Sequence, residues 1–210
     1  MYSHLPVVVS CVNPKGGVGK STIAIHFGVA AHRDGRDVTL VDTDPQGSIL
    51  DWHRLTDDEY DAPLVRHIDA DTAVPSAVGG IGGDVLVLDA PARIGRRTAS
   101  VLQVSDIALV PVRPSGLDLW GTSEFLDLLN QHVGEGTTAA FVGSQRDVRT
   151  SLSDQLDAAL SELDPPLLDG LTLRVSYARS IAQGQTVFNT SDQTAQEEVR
   201  ALYSDVDDLL

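Results

Sequence analysis

Residues 13–22 read NPKGGVGKST, a glycine-rich turn ending in Gly19-Lys20-Ser21. Glycines let a main chain curl tightly enough to aim successive N–H groups inward, which is the chemistry of phosphate binding. Lys20 supplies a cation for the β- and γ-phosphates of a nucleoside triphosphate, and the Ser21 hydroxyl is suited to Mg²⁺. Lys15, Gly16, Gly17, Val18, Gly19 and Thr22 complete the cradle. The strict pattern G-x-x-x-x-G-K-[ST] is broken once, because Pro14 stands where its first glycine belongs.

Two more segments carry carboxylates fit for the same chemistry. The run VDTDPQG (41–47) sets Asp42 and Asp44 two residues apart, so both face one way if a strand continues to 44. One of them could hold the magnesium water shell while the other orients an attacking water. Asp89 closes the apolar run DVLVLD (84–89). Carboxylates at the C-terminal ends of parallel strands face the ligand crevice of an open α/β sheet.

Such groups meet only if strands and helices alternate. VVVSCV (7–12) reads as a buried strand, and a helix runs from Lys20 to Arg33, stopped by Asp34-Gly35. Strands are expected at 37–42, 63–68, 82–91, 107–112, 138–143 and 171–175, and helices at 48–55, 117–133, 151–163 and 193–209. The stretch TDDEYDA (56–62) reads as an exposed acidic loop. The pattern predicts a single α/β P-loop NTPase domain over residues 1–210, with a mostly parallel central sheet flanked by helices.

The composition narrows the partners. The net charge is −15, with Asp far commoner than Glu, and the chain holds only two lysines, Lys15 and Lys20. An Asp-rich, Lys-poor surface suits a protein working in high salt, and retaining both lysines in the phosphate loop marks a need for compact ammonium groups there. Cys11 is the single cysteine, so no internal disulfide forms, and it is expected to be a buried, inert thiol in a reducing cytoplasm. No apolar run is long enough for a membrane span. DNA binding by so acidic a chain needs a local basic patch, and Arg93/Arg96/Arg97, Arg146/Arg149 and Arg174/Arg179 are the clusters available. His26 and His32 on the first helix read as incidental, and Trp52 and Trp120 as packing or interface residues.

The segment KGGVGKST (15–22), with its extra leading lysine, resembles the deviant Walker A motif of the ParA/MinD ATPase superfamily. VDTDPQG is similar to that family's D-x-D-P-Q motif, and Asp89 resembles its Walker B aspartate. IALVPVRPSGLDLWG (107–121) and RVSYARSIAQGQTV (174–187) also look like family segments, so the resemblance runs from about residue 7 to 200. It implies a short, single-domain ParA-type protein in which Lys15 reaches across a dimer interface to the partner's nucleotide. Lys20 and Asp44 join Lys15 in catalysis, Asp44 positioning the hydrolytic water, and Ser21, Asp42 and Asp89 serve Mg²⁺. Where the family often has a base-contacting asparagine, this chain reads GSQR (143–146), with Ser144 the nearest candidate.

The resemblance further implies a weak ATPase using ATP and Mg²⁺, homodimeric with ATP. Arg174 and Arg179 would grip DNA non-specifically, and a small centromere-binding (ParB-like) protein would stimulate hydrolysis. The result would be partition of plasmid or chromosomal DNA by a cytoplasmic protein that is nucleoid-associated in its ATP state. The alternative cargo is a protein complex, and a small-molecule kinase or ligase is the alternative from another class. A MinD-like membrane switch is disfavoured by the acidic tail SDVDDLL, and a redox partner with a cluster is excluded by the single cysteine.

Overall fold

A computed structural model describes residues 5–114, 127, 129, 131, 136–147, 149–161, 163 and 165–210. Its strands are the runs of Val, Ile and Leu. They comprise β1 (Val7–Cys11), β2 (Val38–Asp42), β3 (Leu64–His67), β4 (Val85–Asp89), β5 (Ile107–Val112), β6 (Thr138–Arg146) and β7 (Leu167–Thr172). All pair in parallel in the order β3-β2-β4-β1-β5-β6-β7. The helices among the described residues are α1 (Lys20–Arg33), α2 (Ser48–Arg54), α3 (Val74–Val78), α4 (Arg96–Gln103), α5 (Ser151–Leu160), α6 (Val175–Ile181) and α7 (Gln193–Asp207). None of them is long and apolar enough to cross a membrane.

Strand side chains alternate between two apolar layers. Leu40, Val87, Leu109 and Val142 join α1, α2 and α7 on one face, where Ile23, Phe27, Trp52, Val199 and Leu202 are buried. Val41, Leu86, Leu88, Val110 and Phe141 point to the other, against Val101 and Leu102 of α4 and Leu156 and Leu160 of α5. Covering on both faces explains why the central strands are continuously apolar. Each fully buried Leu or Ile contributes roughly 1.5–3 kcal/mol relative to exposure.

The register serves the site. Cys11 pairs with Asp89, and Asp89 pairs with Asp42, so three strand ends stand level at one edge of the sheet. β1 lies between β4 and β5, and the phosphate loop leaves it at this point where the connections reverse direction.

Three expectations change. The last strand is Leu167–Thr172, earlier than 171–175, and Val175 already begins α6. β6 extends through Arg146 by way of register shifts beside β7. Gly170 makes both possible: it has φ +70, and a Cβ there would lie 2.0 Å from the Gly143 carbonyl oxygen. The Asp169-Gly170 pair, a turn signal in sequence, therefore sits inside a strand. α3 and α4 were not anticipated. The helix expected at 117–133, with Trp120, lies largely outside the described residues.

Candidate functional site

The phosphate loop is fastened before it turns. The buried Asn13 side chain donates from Nδ2 to the Pro111 carbonyl (2.8 Å) and accepts the Lys15 N–H at Oδ1 (2.9 Å). β5 thereby holds the loop where Pro14 replaces the usual glycine. At the other end Gly19 has φ +93 and leads into α1, and a Cβ there would lie 2.5 Å from Ser144 Oγ. Only glycine meets both demands. Gln145, itself at φ +51, donates from Nε2 to the Gly17 carbonyl (2.9 Å). A non-glycine residue in this region is costly and is held by its surroundings. Asn13 and Gln145 were missed as loop supports, since the bonds that tie them to Pro111 and Gly17 join residues far apart in sequence.

Behind the loop lies a compact charged group. Lys20 is buried and its Nζ donates to the Lys15 carbonyl (2.9 Å). Burial pulls this ammonium below its ordinary pKa, and Asp89 and Asp44 oppose the shift. Ser21 Oγ donates to Asp89 Oδ2 (2.5 Å). Asp89 Oδ1 is buried with no hydrogen-bond partner, and burial pushes the carboxyl up to about 7, against the Ser21 hydrogen bond. An orphaned carboxylate oxygen beside a hydroxyl is a donor set suited to a hard divalent cation such as Mg²⁺. Among the described residues there is no cluster of three or more His, Cys, Asp or Glu that could cage a metal. Mg²⁺, which keeps waters and substrate phosphates as ligands, needs no such cage.

Asp42 and Asp44 part company. Asp42 is fully buried, and its carboxylate accepts the N–H groups of Asp44 (3.1 Å), Ile49 (2.9 Å) and Leu50 (3.1 Å). Expected at the metal, Asp42 instead spends both oxygens on the turn and the start of α2. Asp44 accepts the Gln46 N–H (3.0 Å) and lines a cavity of about 450 Å³ with Gly16, Gly17, Gly19, Lys20, Ser21 and Thr22. Lys15 is described but is not among the residues lining that cavity. A second cavity, about 280 Å³, adjoins Gly19 and Thr22 and is walled by Ser144, Gln145, Leu173 and Arg174.

A family model described as the CobQ/CobB/MinD/ParA nucleotide binding domain matches residues 9–187, spanning the phosphate loop, both carboxylate segments and β7. The chain belongs to that family. As a CobQ/CobB/MinD/ParA domain it is a nucleotide-binding P-loop ATPase. It is 27% identical to the maintenance of carboxysome distribution protein A of Halothiobacillus neapolitanus, over 98% of this chain and 99% of that protein. It is 28% identical to the chromosome-partitioning ATPase Soj of Thermus thermophilus, over 72% of this chain and 74% of the relative. The septum site-determining protein MinD of Pyrococcus horikoshii, solved with Mg-ADP, shares the fold with a TM-score of 0.76 at 21% identity, covering 97% of each chain.

The basic clusters fare unevenly. Arg146 pairs with Asp157 (2.5 Å) and Arg149 with Asp147 (2.9 Å). Arg174, expected to face DNA, is held by Glu198 (3.1 Å) and Asp192 (3.5 Å). Arg179, Arg93 and Arg96 are exposed and in no ion pair with a described residue. His26 is not incidental: it is buried, its Nδ1 meets the Thr22 carbonyl (2.8 Å), and its Nε2 accepts the Val187 N–H (3.3 Å).

Proposed function

We propose that this chain is a ParA-type distribution ATPase, in which ATP and Mg²⁺ close two copies into a dimer and hydrolysis separates them. The observation that carries the reading is one cavity gathering Lys20, Ser21 and Asp44 beside Asp89, with the Lys15 side chain outside its lining. Residues 16–22 wrap the phosphates, and Lys20 neutralises their charge. Ser21 and Asp89 would hold Mg²⁺, which would supply positive charge against the charge developing on the phosphates. Asp44 orients the water, and Asp42 holds the Asp44 turn from behind. The smaller cavity takes the base, with Ser144 and Gln145 at its polar wall. Lys15 serves the other copy's phosphates, a cation supplied in trans where charge builds up.

Lys15→Ala tests this. It should keep nucleotide binding but lose ATP-dependent dimerisation in sedimentation, with hydrolysis falling about a hundredfold. Unchanged dimerisation and turnover would remove the trans role.

The cargo is DNA, as in Soj-like partition, held non-specifically by the ATP dimer and released when a small ParB-like partner stimulates hydrolysis. Arg179, with Arg93 and Arg96, carries the contacts, while Arg174 supports the local fold. ATP-dependent retention on DNA, measured across salt concentrations, should weaken in Arg179→Ala. No retention at any salt favours a second reading, in which the cargo is a protein complex. Full-length similarity to a carboxysome distribution protein supports that alternative.

A further inference from the structure

Arg97 stands in the first turn of α4, just past the loop that follows Asp89. Its side chain is spent on main-chain carbonyls from two loops. Nε donates to the Thr43 carbonyl (3.3 Å). Nη1 donates to Thr72 (2.7 Å) and Ala70 (3.4 Å), and Nη2 donates to Ile68. A guanidinium is suited to this, because its donors lie in one rigid plane and can bind several acceptors at once.

The acceptors are not arbitrary. Thr43 sits between Asp42 and Asp44, and its N–H (3.1 Å) and Oγ1 (2.7 Å) both donate to the Asp89 carbonyl. The Ile68 N–H donates to the Asp42 carbonyl (2.9 Å), so the loop after β3 is tied to the same strand end. The Thr98 hydroxyl holds the Arg93 carbonyl (2.7 Å), closing the loop from which α4 starts. Arg97 therefore joins the segment after β4, the Asp42-Thr43-Asp44 turn and the loop after β3 into one piece.

We propose that Arg97 is a positioning residue for hydrolysis, locking the Asp44 turn to the Asp89 segment so that both carboxylates meet the phosphates in one fixed arrangement. This rests on the reading of Asp44 as the water-orienting group. Arg97 does not line the phosphate cavity and touches no reacting atom; it acts through the Thr43 carbonyl. Small displacements of such a group are costly, since a misplacement of about 1 Å can lose about a hundredfold in rate.

The test compares Arg97→Met, Arg97→Lys, Asp44→Asn and the double variant Asp44→Asn/Arg97→Met, in steady-state and single-turnover ATP hydrolysis. Arg97→Met should lower kcat about ten- to a hundredfold, with KM for ATP within about twofold, because phosphate binding is left in place. Arg97→Lys keeps the charge but loses the planar fork, and should fall between wild type and Arg97→Met. In the Asp44→Asn background, Arg97→Met should change the rate by less than about twofold, as one residue acts through the other.

A full multiplicative loss in that background, or a raised KM with kcat intact, overturns the Arg97 assignment and leaves Asp44's role standing. Wild-type hydrolysis by Asp44→Asn overturns the Asp44 reading and the proposal with it. If Arg97→Met fails to fold by circular dichroism, Arg97→Lys decides alone: wild-type kcat in that variant overturns the proposal.

Discussion

Two charged clusters lie at strand ends of the same sheet, beyond Asp89 and beyond Thr172, and are finished differently. Around Asp89, one carboxylate oxygen is buried without a partner and the carboxyl is raised to about 7. Around Glu198, satisfaction is dense. Its carboxylate accepts the Thr172 N–H (3.1 Å) and hydroxyl (2.6 Å), Arg174 Nε (3.1 Å) and Tyr177 OH (2.7 Å). Arg174 also reaches Asp192, which takes the Ser176 hydroxyl (2.7 Å) and the Ala195 N–H (3.1 Å) at the start of α7. Buried polar groups are normally paired, so the unfinished cluster is where a ligand belongs and the finished one holds helices to strands. The same contrast sets Arg174, attractive in sequence as a DNA contact, among the ion pairs of the finished cluster.

The contrast breaks first at Lys20. Lys20→Ala should reduce hydrolysis by roughly a hundred- to a thousandfold, the loss typical of removing one donor to developing charge. Its thermal stability should stay close to wild type. A large fall in melting temperature with activity retained would reverse the roles of the two clusters.

His26, beneath the phosphate loop, sharpens the comparison through pH. Burial lowers it from the ordinary 6.5 to about 4, against the hydrogen bond to Thr22. Between those values the unfolded chain binds a proton that the folded chain refuses, so stability is lost as pH falls from about 6.5 to about 4. The contribution is about 3 kcal/mol over that window, from roughly 1.4 kcal/mol per pH unit. Denaturant unfolding of His26→Gln should show a flatter acid limb than wild type; identical limbs would dismiss His26.

Glu198→Gln addresses the finished cluster. Losing its charge-assisted bonds should cost about 1–2 kcal/mol in urea unfolding, while kcat for ATP stays within about twofold. A hydrolysis defect without a stability change would place that cluster in the mechanism. The smallest effect is at Asp89. Mg²⁺ must displace the proton held at about 7, so Mg²⁺ affinity should fall by up to about tenfold per unit below that pH and level off above it. Titrating Mg²⁺ against a fluorescent ATP analogue at about pH 6 and about pH 8 checks this.

Much of this was legible without coordinates. α1 runs from Lys20 to Arg33 as its glycine and Asp34-Gly35 boundaries indicate, and β5 matches IALVPV. The glycines, Lys20, Ser21 and Asp89 are readable because their spacing and their flanking strand and helix are local properties. Asp42 is ambiguous in sequence because a strand-end carboxylate looks the same whether it meets a metal or three main-chain amides. β7 was misplaced because Asp169-Gly170 is a turn by propensity, and only the close approach of Gly143 makes it part of a strand. The supporting roles of Gln145 and Arg97 were not legible, since their partners lie 128 and 25 to 54 positions away, and Asn13's hold on the Pro111 carbonyl spans 98.

By itself the sequence determined a strand, a phosphate-binding turn and a helix, with carboxylates waiting at two later strand ends. Those features follow from nearest-neighbour chemistry: glycine's freedom, apolar periodicity and the charge of two retained lysines. Only the tertiary structure decided which carboxylate is left open to a ligand. Hydrogen-bond satisfaction depends on what the sheet register brings opposite. Here it supplies Asp42 with three amides and leaves one oxygen of Asp89 with none.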